Sequence, residues 1–320
     1  MSLQLRLYLL VGLMLGILYL IILAVGTALG ASGFLAYAII AVMLVFIQYL
    51  IGPSIVSLIM GIKYVTEQEE PELHGMVAEL AQEAKIRKPR VGISEQAIPN
   101  AFAFGRTQGD ARVCVTRGIL NKLNKDELKA VLGHEITHIK SRDMLFITVL
   151  SVMPMICYYI AMTLLWSGAG QRRQSGGTNI LPFIGVGMLV LYFITNLLVL
   201  YGSRIREYFA DKGSVKLGNQ PRYLATALYK LVYASAQVPK DESKRVEGMK
   251  AFFINDPSRS LTEIRELKEI DADMSGTINT SELQALRTKE VKLSFADKMM
   301  EVFSTHPNMV KRIKQLSTYT

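Results

Sequence analysis

Between Arg6 and Lys63 the sequence runs through 56 consecutive residues, positions 7 to 62, without one Asp, Glu, Lys or Arg. About 20 apolar residues are enough for a helix to cross the hydrocarbon of a bilayer. The stretch therefore predicts two spans, near residues 7–29 and 34–60, turning at Gly30-Ala31-Ser32-Gly33. Two further charge-free runs, residues 144–171 and 174–203, are separated only by Arg172 and Arg173 and predict a second hairpin of spans. Four crossings result, in keeping with a chain that is 50% hydrophobic with a mean hydropathy of +0.27. A cleavable signal peptide is the alternative for the first run, but its apolar region outruns the usual length of roughly 7–15 residues and a second run follows at once. Gly12, Gly16, Gly26 and Gly30 form two small-xxx-small pairs suited to close helix approach. Pro154 and Pro182 interrupt the helical pattern of the last two spans.

Lys63, Lys140, Arg142, Arg204, Arg206 and Lys212 flank one side of these spans, and Arg172 and Arg173 the other. This asymmetry predicts a multi-pass protein of the cell membrane with its polar parts in the cytoplasm. The net charge of +9 fits contact with an anionic leaflet. No aromatic-interleaved basic patch points to nucleic acid. Of the two cysteines, Cys114 falls in a polar part and Cys157 in a span, so no disulfide framework is expected and a reducing compartment fits.

The chain thus divides into a transmembrane hairpin (1–62), a polar part (63–143), a second hairpin (144–203) and a second polar part (204–320). In the first polar part, Leu73, Met76, Val77, Leu80 and Ala84 repeat at helical spacing after Pro71. Residues 90–94 and 112–116 alternate like short strands, and between them Ile-Pro-Asn-Ala-Phe-Ala-Phe-Gly (98–105) reads as a Pro-started strand ended by glycine. Asn124, with Glu127 three residues on, marks a helix start. With no Pro or Gly between Lys140 and Met144, that helix is expected to continue toward the third span. The second polar part reads as helical, with one run from Tyr201 to Leu217 stopped by Gly218, another from Pro221 to Gln237, and a charged connection at 240–250.

His134 and His138 stand four apart, which on a helix places both imidazoles on one face within reach of one tetrahedral zinc ion. Glu135 then projects beside the metal as a base for its bound water. Two His and a Glu on a surface helix is the bland alternative, but the apolar Val131-Leu132-Gly133 run before them makes polar residues costly there unless they are used. For a third ligand a carboxylate is the better candidate, since the remaining histidines are only His74 and His306. Glu207 and Asp211 are four apart on one helix, so Glu207 can ligate while Asp211 points the same way behind it. An exposed acidic pair balanced by Arg204, Arg206 and Lys212 is the competing reading of those two residues. His74 has no partner motif and reads as a helix-surface histidine.

Pro-Asn-Ala-Phe-Ala-Phe-Gly (99–105), Gly-His-Glu-Ile-Thr-His (133–138), Ser-Arg-Asp (141–143), Arg-Glu-Tyr-Phe-Ala-Asp (206–211) and Phe-Ser-Thr-His-Pro (303–307), in this order, resemble the HtpX-type membrane zinc metallopeptidases, a family that includes the CAAX prenyl proteases. The resemblance implies a mainly α fold, four transmembrane helices with a zincin-like helical domain carrying a small sheet. It implies one Zn2+ per chain with Glu207 as third ligand, Asp211 orienting a ligand histidine, and an extended substrate pairing with Asn100, Ala101, Phe102 and Ala103. It also implies endoproteolysis of damaged or misfolded membrane proteins on the cytoplasmic face. By composition His306 is a residue ahead of a helix opened by Pro307 and running through Met309, Ile313 and Leu316; the resemblance places it near the site, as a donor to the oxyanion.

A second motif is independent of these. Asp271 to Glu282 reads Asp-Ala-Asp-Met-Ser-Gly-Thr-Ile-Asn-Thr-Ser-Glu, an EF-hand-like loop within an insertion near 260–290, with Asp271, Asp273, Ser275, Thr277, Asn279 and Glu282 at its ligand positions. Ca2+ binding is one reading; a helix-turn-helix whose Asp and Asn residues only cap helices is the other, and no second copy of the loop is present. Two alternatives stand beside the endopeptidase: a prenyl-protein protease, and a calcium-sensing membrane adaptor with a relict metal site.

Overall fold

The computed structural model describes residues 31–170, 180–237, 260–267, 270–289 and 294–320. The expected span at 7–29 with its glycine pairs, the Arg172-Arg173 corner and the 240–250 connection lie outside the described residues. Helix α1 covers Ala31–Ile59 and includes the second expected span. In chain order follow β1 (Ile62–Tyr64), α2 (Pro71–Ala84), β2 (Arg90–Ser94), β3 (Ala101–Phe104), β4 (Arg112–Thr116), α3 (Arg117–Lys122), α4 (Lys125–Lys140) and α5 (Asp143–Gly170). Then come α6 (Leu181–Lys216), α7 (Pro221–Ala236), α8 (Ser260–Leu267), α9 (Thr280–Thr288), α10 (Phe295–Val302) and α11 (Met309–Leu316). The fold is mainly helical with one small mixed sheet.

Among the described residues two helices are long and apolar enough to cross a membrane: α5 over Asp143–Trp166, and α6. Their apolar parts, within residues 145–170 and 181–205, belong with residues 31–51 to a first compact unit. Leu150, Met153, Cys157, Ile160, Ala161 and Leu164 pack with Met188 and Val199 in its core. Val149, Trp166, Phe183, Val190 and Phe193 are exposed, a density of bare apolar side chains that suits lipid rather than water. Pro154 sits inside α5 without ending it, as an apolar helix with packed neighbours tolerates. Pro182 is the second residue of α6, where a missing N–H costs nothing.

The second compact unit holds the described residues among 52–144 and 206–320. Its sheet has the order β1-β2-β4-β3, with β2 and β4 parallel and β1 and β3 antiparallel to their neighbours, so β3 is an edge strand. Leu73, Val77 and Leu80 of α2, Val91 and Ile93 of β2, Val113 and Val115 of β4, and Val131, Leu132 and Ile136 of α4 are all buried in one core. The core continues through Leu224, Leu228 and Leu231 of α7 to Ile313 and Leu316 of α11. Helix α4 begins at the capping box read from the sequence: the Asn124 side chain accepts from the Glu127 N–H, and the Glu127 carboxylate accepts from the Asn124 N–H. That same buried carboxylate meets Lys230 of α7 at 2.8 Å.

Two expectations about helix ends are corrected. Helix α4 does not run on into the third span: it stops at Lys140, Arg142 takes a left-handed φ of 56°, and a new helix starts at Asp143. The stop is made by side chains from elsewhere, since Gln108 donates to the Lys140 carbonyl at 2.8 Å and Arg206 to the Ser141 carbonyl at 3.0 Å. In contrast, the expected fourth span and the helix expected from Tyr201 are one element, because α6 continues unbroken for 36 residues from its charge-free part, residues 181–203, through Glu207 and Asp211. It ends before Gly218, whose φ is +90°.

Candidate active site

The two ligand-bearing helices meet at glycine. A Cβ on Gly133 of α4 would lie 2.4 Å from Asn219 Nδ2 and 2.8 Å from Ser214 Oγ, and one on Gly213 of α6 would lie 2.1 Å from Thr137 Cγ2. Only hydrogen at both positions permits this approach. The Ser214 hydroxyl fastens the crossing by donating to the Ala130 carbonyl at 2.6 Å. One residue beyond Gly133, and two before Gly213, stand His134 and Asp211.

His134 Nε2 and His138 Nε2 are 3.1 Å apart, and Glu207 reaches them with Oε2 at 3.5 Å and Oε1 at 3.4 Å. Each imidazole turns its other nitrogen to a carboxylate: His134 Nδ1 to Asp211 at 2.9 Å, and His138 Nδ1 to Asp143 at 2.7 Å. With both Nδ1–H groups donating in this way, both Nε2 atoms present lone pairs to each other, an arrangement that a shared cation relieves. Four tetrahedral ligands about 2.0–2.2 Å from zinc stand about 3.3–3.6 Å apart, close to the separations here. Glu207 is buried, with both carboxylate oxygens turned to the two imidazoles. The residues present therefore fit a metal ion with His134, His138 and Glu207 as ligands.

Burial disfavours charge on both imidazoles, yet the carboxylates of Asp211 and Glu207 outweigh it for His134, and Glu207 for His138, so both sit above the ordinary histidine value. Burial likewise opposes ionisation of Glu207, but His306 and the Arg312 guanidinium hold its carboxyl well below the usual range. At Glu135 burial dominates and pushes the carboxyl up, against the charges of His134 and His138 and a hydrogen bond from the Ala103 N–H, while Glu207 adds to the rise. A carboxylate poised upward beside two imidazoles is suited to taking and returning a proton.

The Ala103 contact also locates the expected substrate strand. Ala101, Phe102 and Ala103 lie in edge strand β3, and Asn100 precedes it, its N–H donating to Thr116 Oγ1 at 2.8 Å. His306 is buried, with Nδ1 3.3 Å from Glu207 Oε2. His74 lies elsewhere, half-buried on α2, its Nε2 3.0 Å from the Val65 carbonyl. Cys114 and Cys157 are buried free thiols. Of the EF-hand-like residues, Asp271, Asp273 and Glu282 form a separate cluster of carboxylates.

Two residues of the site were not assigned a role from the sequence. Asp143, the partner of His138, belongs to the Ser-Arg-Asp piece and also pairs with Arg206. Arg312 is completely buried; it holds Asp211 with Nε at 2.9 Å and Nη2 at 2.6 Å, and reaches Glu207 with Nη1 at 3.0 Å. Its signal was present: Met309, Ile313 and Leu316 form the apolar stripe of α11, and position 312 falls on it. A charge on a buried helix face calls for a buried opposite charge.

The chain is 50% identical over 247 residues to a protease HtpX homolog of Methanothermobacter thermautotrophicus, covering 77% of this chain and 92% of that protein. It is 38% identical over 309 residues to a protease HtpX homolog of Pyrococcus abyssi, covering 95% and 93%. Among solved structures, that of S. mikatae Ste24p shares its fold with a TM-score of 0.51 at 14% identity, the match covering 94% of this chain but 62% of that longer one. Residues 67–320, which carry His134, His138, Glu207, Asp143 and Arg312, match the model of peptidase family M48. This chain is a member of peptidase family M48, a membrane metallopeptidase of the HtpX type.

Proposed function

We propose that the protein is a zinc endopeptidase, held in the cell membrane by four spans, that cleaves damaged or misfolded proteins on the cytoplasmic face. The observation that carries the reading is the pair of imidazole Nε2 atoms, 3.1 Å apart, backed by Asp211 and Asp143 and closed by Glu207. His134, His138 and Glu207 would hold one zinc ion, which supplies a water nucleophilic near neutral pH and polarises the scissile carbonyl.

The rest falls to the chain's own side chains. Asp211 and Asp143 fix which nitrogen of each histidine is free to ligate. Glu135 takes the proton of the attacking water and passes it to the leaving amine; its burial keeps proton affinity high enough for both transfers. An extended substrate adds to the open edge of β3 along Asn100 to Ala103, which limits cleavage to polypeptide that can be drawn out as a strand. His306, beside Glu207, donates to the oxyanion of the tetrahedral intermediate. The same edge strand favours unfolded protein as substrate, since an unfolded segment can be drawn out as a strand without breaking structure of its own. The basic flanks of the apolar runs support the cytoplasmic placement.

The test is zinc content of the detergent-purified protein beside its Glu135→Gln variant, with cleavage of an unfolded protein followed in both. Zinc in both and cleavage by the parent alone supports the reading. Little zinc and no cleavage after zinc is supplied overturns it in favour of a calcium-linked adaptor, and cleavage confined to prenylated peptides shifts it to a prenyl-protein protease.

A further inference from the structure

We propose that Asp271–Glu282 is a single Ca2+ site whose mate is helix α7 rather than a second loop of its own kind. The loop carries oxygen donors at the prescribed positions, with Gly276 at the sharp turn in a conformation, φ +77°, that favours glycine. One oxygen from each of Asp271, Asp273 and Glu282 lies within 4.8 Å of the others. Ligands on opposite sides of a Ca2+ ion are at most about 5 Å apart, so the three already converge on one coordination sphere. All donors are hard oxygens, with no His or Cys among them, which selects Ca2+ over zinc.

The independent observation lies outside the loop. Ile278 is the residue whose main chain bridges to the partner loop when such loops are paired. Here its N–H donates to Thr226 Oγ1 at 3.0 Å, and the same hydroxyl donates to the Ile278 carbonyl at 3.1 Å. One threonine side chain thus supplies both the acceptor and the donor that a neighbouring strand would offer. Three residues on, the Tyr229 hydroxyl donates to Asp271 Oδ2 at 2.6 Å, fixing the first ligand from the same face of α7. Ile278, Leu283 and Leu286 are buried in the core that α7 shares, so the docking is apolar as well as polar. A loop whose shape is set by folding gives up little conformational freedom when the ion arrives, which removes the need for a second copy.

Glu282 accepts from the Ala272 N–H at 2.8 Å through Oε1 and from the Asn279 N–H at 2.9 Å through Oε2. The ion has to compete with these contacts, and with three carboxylates in the sphere the expected dissociation constant falls at about 10⁻⁵ to 10⁻³ M. This site is independent of the peptidase reading.

The experiment uses the full-length, detergent-purified, zinc-loaded protein stripped of Ca2+ with EGTA. Calorimetric titration with Ca2+ is expected to give one ion per chain, and Tb3+ to show tyrosine-sensitised emission from Tyr229 that Ca2+ displaces. Asp273 is exposed, so Asp273→Asn leaves the fold intact, confirmed by an unchanged melting curve, and weakens Ca2+ binding at least tenfold. Thr226→Val keeps every ligand and the side-chain shape, and is expected to weaken it several-fold. No Ca2+ uptake, or uptake unchanged in Asp273→Asn, overturns the site; uptake lost with Asp273→Asn but unchanged in Thr226→Val overturns the role of α7.

Discussion

Arg312 Nη2 lies 2.6 Å from Asp211 Oδ1, and the same oxygen is 2.9 Å from His134 Nδ1. A residue eight positions from the end of the chain thus steadies the orientation of a ligand on α4 through one carboxylate. Replacing Arg312 by Met leaves Asp211 and Glu207 buried without their cation, a loss of about 3–5 kcal/mol. Thermal denaturation of the zinc-free and zinc-loaded forms is expected to show it in both. Arg312→Lys keeps a charge without the two-pronged contact and should fall between parent and Met variant.

Asp143 plays the matching part for His138. Asp143→Asn keeps the shape but loses the carboxylate that fixes the imidazole, and zinc affinity is expected to fall about 10- to 100-fold. Competition with a chelator of known affinity measures this, and an unchanged affinity would sink the assignment.

The helix crossing is steric. With a Cβ on Gly213 placed 2.1 Å from Thr137 Cγ2, Gly213→Ala is expected to cost about 1–3 kcal/mol and to lower zinc content, because the turns that carry His138 and Asp211 are forced apart. Adding Thr137→Ala to the same chain removes the two nearest colliding atoms, Cγ2 and Oγ1, while Cβ stays at 2.7 Å, and should recover part of both losses.

Acid and base act on the site with opposite signs. Glu207 and Asp211 are held below their ordinary values against burial, Asp211 by Arg312 and Glu207 by His306 and Arg312. Their contribution to stability is complete above the ordinary carboxylate range and is lost as pH falls through the lowered values. Burial raises Glu135 above its ordinary 4.5, so its contribution is complete below that value and is lost as pH rises through the raised one. Glu135→Gln is therefore expected to raise the melting temperature of the zinc-free protein at neutral pH, with the gain shrinking toward pH 4. Melting curves across that range decide it; a gain independent of pH would point to a packing effect instead.

How far the sequence led depended on distance along the chain. The spacing of His134 and His138 and the cap at Asn124 are local patterns legible in a few residues; Glu207 and Asp211 are local too, but their roles follow from the metal motif and the family resemblance. The stop at Lys140 was hidden because no Gly or Pro marks it: Arg142 accepts a left-handed backbone conformation only because Gln108 and Arg206, far away in sequence, receive the freed carbonyls. For Arg312 the apolar stripe of α11 marks a buried charge, but not its partner, Asp211, which is 101 positions away. The edge position of β3 likewise depends on strand order, which no single strand's pattern contains.

Glu207 and Asp211 share a single turn of α6, so neither carboxylate moves along the helix axis without the other. An axial slip of one residue carries Glu207 by about 1.5 Å, several times the tolerance of a metal ligand. The ligand carboxylate and the carboxylate behind His134 therefore keep step, and whatever displaces one displaces the other.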